Sequence, residues 1–337
     1  MFDERHLQAK EFKPASRTGG LPLAHANLSP GGAGGSLPDV LGMVRAFATS
    51  VHEWIEPGLV RGPTTPLRQN VPDASKMSLF HVDALGKPMV SSSDVIQEGL
   101  GDCYFVGAEA AVADKASSLI LNNMIQSDEH GGYVVHMHNS FAGGEKVDVP
   151  VSASDVQALM KYHTAQQVLW PVVLEAAEAH IEARNGSDMV GAADDIGIGI
   201  KSLGEGGMPG RGLAALTGHE DTFLLPSNSG LTKVIDEVNT GHPVVMATRV
   251  SATPLGWDPH RDGLVDSHVY EVMSMHRDPD GTVWGLVNNP WQKNKDHGTY
   301  GDITPAAYAG MPGSKWVNLT QGIDHGGIAG FATSGSF

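Results

Sequence analysis

The sequence predicts an α+β protein in which a mainly helical lobe precedes a β-rich lobe. Apolar residues between positions 80 and 222 follow mainly the spacing of helices, whereas short alternating runs typical of strands follow one another after position 243. Between these regions, residues 226–230 form a strong turn-forming stretch of Pro, Ser, Asn and Gly. We therefore place the boundary between the lobes there, and we expect a ligand-binding cleft between them because ligand sites often lie at such junctions.

Three segments divide the 337 residues. Residues 1–75 are rich in Gly, Pro and Ser, and only residues 40–55 among them have helical spacing. We predict a loosely ordered extension with one helix, which serves as a linker, a pro-segment or a docking arm for a carrier or inhibitor. Residues 76–225 form the predicted helical lobe, and residues 226–337 form the predicted β-rich lobe.

Local patterns predict the individual elements. In the helical lobe, residues 132–138 and 146–151 alternate in polarity and predict a small hairpin, and a glycine-rich loop follows at 204–212. In the β-rich lobe, we predict one helix that is ended by Gly241. That helix spans residues 231–239, and the predicted strands span residues 243–250, 268–276, 282–288 and a final stretch near 316–319.

Cys103 is the only cysteine of the chain, and its surroundings are typical of a nucleophile at the start of a helix. Gly99 and Gly101 permit a tight turn before it, and an apolar, helix-like stretch follows it. The first turn of a helix offers unpaired N–H groups and the positive end of the dipole, which favour the thiolate. The alternative is a small buried hydrophobe, since free cysteines are usually packed and inert.

A histidine and an asparagine further along the chain complete a possible catalytic set. His268 lies at the start of one predicted strand, and Asn289 directly follows the next one. Residues 277–281 between the strands contain Pro, Asp and Gly, so the strands are expected to pair as a hairpin that places the two side chains close together.

Cys, His and Asn are the residues that acyl transfer through a thioester requires. His268 would withdraw the thiol proton of Cys103 and later protonate the leaving amine, and Asn289 would orient the ring. Gln97, six residues before the cysteine, would direct its amide at the developing oxyanion beside the backbone N–H of Cys103.

Four sequence motifs in register resemble those of the calpain family of papain-fold cysteine proteases, over roughly residues 80–320. The resemblance implies a papain-like fold and a cysteine endopeptidase that acts on proteins or peptides, with Cys103, His268, Asn289 and Gln97 at its active site. The matching segments are residues 97–104 around the cysteine, 263–270 around the histidine, 289–292 at Asn-Pro-Trp and 170–177 on a predicted helix, and a Leu-Thr-Gly run at 216–218 accompanies them.

The chain departs from the family pattern at five positions. Glu98, Ser267 and Gln292 stand where the family has glycine, Tyr104 replaces a tryptophan, and Val269 replaces an alanine. Ser267 and Gln292 are expected to reshape the substrate cleft, so the substrate preference of conventional calpains does not transfer. Since no change falls on the four candidate catalytic residues, the resemblance implies an active enzyme.

The resemblance also implies calcium binding by the protease core. Two carboxylates match ligands of the family's first-lobe site: Asp94, nine residues before the cysteine, and Glu175 on the predicted helix over 170–177. The alternative is that these carboxylates pair with basic groups or cap helices. The chain contains no EF-hand loop, and we predict no organic cofactor.

Charge and composition limit the classes of partner that we expect for this protein. The net charge of −16 argues against nucleic acid or an anionic membrane as the main partner. No stretch approaches the roughly 20 apolar residues that span a bilayer. The N-terminus lacks the profile of a signal peptide, so we expect a cytoplasmic protein or one exported without a classical signal.

Other functions remain compatible with the same residues. A thiol enzyme of this kind could also carry out another acyl transfer, such as side-chain amide hydrolysis or transglutamination. A secreted effector or toxin module, delivered through residues 1–75, is a second alternative. A catalytically inactive homologue that only binds is a third.

Overall fold

The computed structural model describes a mixed α+β protein whose helices and sheets alternate along the chain. All described residues belong to one compact unit formed by residues 48–337. The predicted helix at 40–55 and nearly all of the predicted extension lie outside the described residues. The structure describes residue 66 and residues 71–141, 144–185, 195–219, 222–249, 264–292 and 311–335.

Seven α-helices lie within the described residues, together with short 3-10 turns such as Ser92–Asp94 and Met160–Tyr162. None of these helices combines the length and the apolar character that a membrane crossing requires. The helices are α1 (Cys103–Leu119), α2 (Ala153–Leu159), α3 (Trp170–Asn185), α4 (Ile196–Leu203), α5 (Pro209–Thr217), α6 (Asn228–Asn239) and α7 (Leu319–Asp324).

Eleven strands form three antiparallel sheets in the described part of the chain. The strands are β1 (His81–Val82), β2 (Pro88–Met89), β3 (Ile125–Ser127), β4 (Tyr133–Asn139), β5 (Glu145–Val151), β6 (Thr222–Leu224), β7 (Val244–Thr248), β8 (Val269–Arg277), β9 (Val283–Asn288), β10 (Ser314–Asn318) and β11 (Ile328–Thr333). The largest sheet has the order β10-β9-β8-β7-β11-β6, and the smaller sheets are β3-β4-β5 and β1-β2.

Both predicted hairpins are present. β4 pairs with β5 in continuous register from Tyr133 opposite Val151 to Asn139 opposite Glu145. β8 pairs with β9, and Glu271 lies opposite Asn288. The turn between β8 and β9 closes through a hydrogen bond from the N–H of Asp278 to the carbonyl of Thr282, as the Pro, Asp and Gly of residues 277–281 predict.

Three features differ from the sequence-based prediction. The predicted helix at 231–239 begins earlier, at Asn228, because Ser227 caps it and accepts a hydrogen bond from the N–H of Gly230. The turn-forming stretch at 226–230 is therefore partly the first turn of α6. The short strand β6 lies within the predicted helical lobe, yet it pairs with β11 in the six-stranded sheet that contains the strands of the predicted β-rich lobe. The strand β11 itself was missed, because its glycine-rich sequence conceals the alternation.

α1 is the central helix, and this explains why its sequence is apolar on every side. Twelve of its 17 residues are buried, including Phe105 and Val112. Burial of each large apolar side chain contributes about 1.5–3 kcal/mol. Gly107 allows the helix to approach β8, since a Cβ there would lie 3.1 Å from Cγ1 of Val269. The start of α1 is thereby held against the start of β8.

Candidate active site

Cys103 is the first residue of α1, and only 1% of its surface is exposed. The backbone N–H groups of Val269 and Tyr104 lie close to the sulfur and act to lower its pKa. Burial nevertheless raises the pKa of the Cys103 thiol, and the neighbouring Asp102 carboxyl adds to this effect. Although the helix N-terminus was expected to favour the thiolate, burial has the larger effect, so the resting group is a thiol.

His268 and Asn289 meet through a hydrogen bond of 2.8 Å between Nε2 and Oδ1, and both residues are fully buried. The predicted proximity of these two residues is thus present in the structure. An asparagine Oδ1 only accepts hydrogen bonds, so Nε2 of His268 carries the proton and donates it. In this tautomer Nδ1 has a free lone pair, and no other group in the described residues hydrogen-bonds to it.

Aromatic rings enclose the His268–Asn289 pair. The Trp291 ring lies 4.4 Å from the imidazole centroid, and the Tyr270 ring packs edge-on at 5.2 Å. The backbone N–H of Trp291 also donates to Oδ1 of Asn289 at 2.9 Å. Burial lowers the pKa of His268 to about 4, while the hydrogen bond to Asn289 opposes that shift. The imidazole at rest is therefore neutral and able to accept a proton at Nδ1.

Because α1 packs on β8, the thiol of Cys103 and the imidazole of His268 lie in the same region of the fold. The Cys103 sulfur contacts the N–H of Val269, the residue that follows His268. A hydrogen bond between the sulfur and Nδ1 of His268 is not formed among the described residues at rest. Proton transfer between them thus requires the sulfur and Nδ1 to approach each other, and catalytic hydrogen bonds commonly tighten only with substrate bound.

Left-handed backbone occurs at two non-glycine residues in the described chain, and both flank this pair. Ser267 has φ 52° and Gln292 has φ 55°. The turn at Ser267 lets its N–H bond the carbonyl of Arg249, while the N–H of His268 bonds Oγ1 of Thr248. These are two of the positions where the resembling family has glycine, so this chain keeps the glycine conformation with side chains present.

The loop before the cysteine is fixed on two sides. The N–H of Gln97 bonds the carbonyl of Pro290, which directly follows Asn289, and the N–H of Gly99 bonds the carbonyl of Tyr162. Glu98 accepts hydrogen bonds from the backbone N–H groups of residues 164 and 165. The departure from glycine at position 98 therefore adds a carboxylate that holds this loop to the segment before α3.

The Gln97 side chain is buried close to Cys103, but its amide is engaged at rest. Nε2 donates to the carbonyl of Leu100 at 2.9 Å and to Oδ1 of Asp102 at 3.0 Å. Stabilisation of an oxyanion by this amide, as the sequence predicts, requires one of these bonds to be exchanged for the substrate oxygen. Asp102, which the sequence analysis did not single out, thus acts on Gln97 rather than as a side-chain cap of α1.

The two predicted calcium ligands are each engaged with protein groups. Asp94 accepts hydrogen bonds from Nε1 of Trp170 at 3.0 Å and from the N–H of Ser91 in a capping box. Glu175 pairs with Nε2 of His163 at 2.9 Å, with both side chains buried. These contacts correspond to the alternative interpretation of the two carboxylates, as an ion pair and a helix cap.

The residues present fit a calcium ion poorly. Calcium takes roughly six to eight oxygen ligands. Within the described ranges, no three His, Cys, Asp or Glu side chains are grouped to hold a metal ion. Burial by itself lowers the pKa of His163, but the attraction of Glu175, its hydrogen bond and other nearby carboxyls together raise that pKa to about 9. The ring of His163 therefore supplies a positive charge beside Glu175. Calcium stays a prediction, and no chemical step is assigned to it.

Several buried polar residues near the site carried no signal in the sequence. Glu109 and Glu178 are fully buried on α1 and α3, and burial raises the pKa of each. Glu271 is fully buried on β8. Such residues look like solvated charges in a sequence, because only the packing of distant segments removes them from water.

Comparison with known proteins identifies one family. The profile described as calpain family cysteine protease matches residues 77–307, well over half of the chain. The matched range includes all six predicted site residues. No curated protein matches the chain. Gly263, the first residue of the predicted histidine motif, lies outside the described residues.

Proposed function

Since the chain belongs to the calpain family of cysteine proteases, we propose that it is an endopeptidase that cleaves peptide bonds through a thioester on Cys103. The proposal includes a papain-like arrangement, in which the lobe that carries α1 and the lobe that carries β8 and β9 border the substrate cleft. The observation that carries it is the His268–Asn289 hydrogen bond of 2.8 Å, because it leaves the basic Nδ1 of His268 available to the thiol.

In the first half of the reaction, Nδ1 of His268 accepts the thiol proton as the sulfur of Cys103 attacks the scissile carbonyl carbon. The carbonyl electron pair moves to its oxygen, which the N–H of Cys103 and the amide of Gln97 stabilise. Collapse of this intermediate breaks the C–N bond, and the leaving amine takes the proton from His268. The product is a thioester on Cys103.

In the second half, His268 takes a proton from water as the water oxygen attacks the thioester carbonyl. The resulting tetrahedral intermediate expels the sulfur, which regains the proton from the imidazolium, and the carboxylic acid product leaves. Asn289 holds the ring throughout and stabilises its charged form. Trp291, which stacks beside the ring, limits the access of water to the His268–Asn289 hydrogen bond.

The pKa values of the resting groups set the order of these events. Because Cys103 is a thiol and His268 is neutral, proton transfer accompanies substrate binding rather than preceding it. Both groups are buried, so the ion pair forms only when the substrate brings polar groups into the cleft. The site at rest therefore holds a thiol of low reactivity, which protects it from oxidation.

Incubation with an unfolded protein, followed by mass spectrometry of the products, tests the proposal. We expect peptide fragments with new termini from the wild type and none from Cys103→Ala, with similar thermal unfolding of both proteins. Release of ammonia without backbone cleavage would instead indicate amide hydrolysis or transglutamination. Absence of both reactions, at any pH between 5 and 9, would indicate a binding homologue.

A further inference from the structure

A buried carboxyl, that of Glu271, lies where the three elements of the proposed site, α1, β8 and β9, come together. Glu271 is the third residue of β8, so it follows His268 by three positions. Side chains at alternate positions of a strand share one face, so Glu271 lies on the same face of β8 as Val269. That face is the one against which α1 packs, through Gly107 at Val269 and through Lys115 further along the helix.

Glu271 hydrogen-bonds directly to β9, and a neighbouring residue of its strand β8 is bonded to α1. On β9, Nδ2 of Asn288 donates to Oε2 of Glu271 at 3.0 Å, and Asn288 directly precedes Asn289. From α1, Lys115 donates to the carbonyl of Met273 at 2.6 Å and pairs with Asp114 at 2.8 Å.

We propose that Glu271 is a positioning residue that fixes the spacing between Cys103 on α1 and the His268–Asn289 pair on β8 and β9. This inference rests on the proposed function, since it concerns the geometry of that reaction. Glu271 itself touches no substrate and acts through Asn288 and the packing of α1 on the sheet.

The protonation state of Glu271 determines whether it can perform this task. Burial raises the pKa of Glu271 to about 8, and repulsion from Asp114 adds to the shift. The hydrogen bond from Asn288 and the charge of Lys115 oppose it. Below pH 8 the carboxyl is neutral and fits between α1 and the sheet. Above pH 8 it becomes an anion that Asp114 repels, which separates α1 from β8.

The decisive variant is Glu271→Gln, which keeps the shape and an acceptor for Asn288 but has no proton to lose. Glu178→Gln is the matched control, because Glu178 is also fully buried and burial raises its pKa to about 8, yet it lies on α3 beside Glu182 and Arg211. Glu271→Leu removes the acceptor and tests the hydrogen bond itself.

The measurement is kcat for peptide hydrolysis between pH 6 and 9.5. With a pKa of about 8, nine tenths of Glu271 is ionised at pH 9, so the wild type should lose about tenfold in kcat relative to Glu271→Gln there. At pH 6.5 the two should agree within about twofold, and Glu178→Gln should follow the wild type throughout. Glu271→Leu should show a lower kcat at every pH with little change in KM.

Superimposable profiles for the wild type and Glu271→Gln would overturn the inference, as would an equal effect of Glu178→Gln. A folded Glu271→Gln protein with a tenfold lower kcat at pH 6.5 would overturn it as well. Labelling of Cys103 by a peptidyl epoxide over the same pH range gives a readout that needs no peptide turnover. If no protein cleaves peptides, the proposed function fails. A labelling rate that falls above pH 8 in the wild type but not in Glu271→Gln would still support positioning by Glu271, and equal profiles would overturn it.

Discussion

The left-handed backbone at Ser267 gives a quantitative prediction about stability. A non-glycine residue in this conformation costs roughly 1–2 kcal/mol relative to the right-handed form. Glycine removes that cost but loses about 0.5–1 kcal/mol more conformational free energy on folding. Ser267 has φ 52°, and its hydroxyl hydrogen-bonds to no other group in the described residues. Ser267→Gly should therefore stabilise the protein by about 0.5–1 kcal/mol.

Differential scanning calorimetry measures this effect as a rise in melting temperature of about 1–3 °C. Ser267→Ala is the control, because it removes the hydroxyl but keeps the Cβ that makes the conformation costly. We expect no stabilisation from alanine. Equal stabilities of the glycine and alanine variants, or a less stable glycine variant, would refute the argument that strain is stored at this position beside His268.

Four further predictions concern the site and its supports. Asn289→Ala should leave Nε2 of His268 unpaired and lower kcat about ten- to a hundredfold with little change in KM, in steady-state assays. Gly107→Ala should lower the free energy of unfolding by about 0.5–2 kcal/mol, as measured by denaturant titration, since crowding of Cγ1 of Val269 by the new Cβ outweighs the better helix propensity of alanine. Tyr104→Phe should cost about 1 kcal/mol in the same titration by removing the 2.9 Å bond to Glu182, and should leave kcat unchanged. The ion pair of His163 with Glu175 stabilises the fold fully at pH values below the pKa of an unfolded histidine, and this stabilisation is lost as the pH rises through about 9. The difference in melting temperature between wild type and His163→Gln should therefore narrow as the pH rises from that unfolded pKa to above 9.

Each of these predictions has an outcome that contradicts it. Unchanged kcat in the Asn289 variant would remove the orienting function of that residue. Full stability of Gly107→Ala would mean that α1 does not need its close approach to β8. A changed kcat in the Tyr104 variant would place its hydroxyl in the reaction. A constant difference in melting temperature across pH would show that His163 carries no charge in the folded protein.

Local signals in the sequence were sufficient to predict the β8–β9 hairpin, which places His268 next to Asn289. The alternation along β8 and β9 and the turn at 277–281 are encoded within about 20 residues, so pairing places His268 and Asn289 together without information from the rest of the chain. The position of Cys103, the proposed nucleophile, at the first residue of α1 was likewise predictable from the glycines before it and the apolar run after it.

Contacts between distant segments were not predictable in the same way. Nothing near Glu271 in the sequence indicates that the charges of Asp114 and Lys115 act on it, since these residues lie more than 150 positions away. Burial of Cys103 depends on the same packing, which is why the expected preference for the thiolate was wrong for the resting site. The early start of α6 was missed because Ser227 looks like a loop residue until its capping bond is seen.

The resemblance to calpains was sufficient to predict the four candidate catalytic residues, but only the structure revealed the hydrogen bonds that one of them, Gln97, makes at rest. The Gln97 amide already donates to Leu100 and Asp102, so its proposed function at the oxyanion requires a change of partner. The two carboxylates expected at a calcium site have protein partners, which sequence spacing alone does not reveal.

Covalent labelling of Cys103 by a peptidyl epoxide, compared between wild type and His268→Ala, tests most directly whether the thiol and the imidazole act together. The account predicts stoichiometric labelling of the wild type at Cys103 and a loss of at least about a hundredfold in rate without the imidazole, since general base catalysis is commonly worth that much. Equal labelling rates in the two folded proteins, no faster than for the unfolded chain, would contradict it.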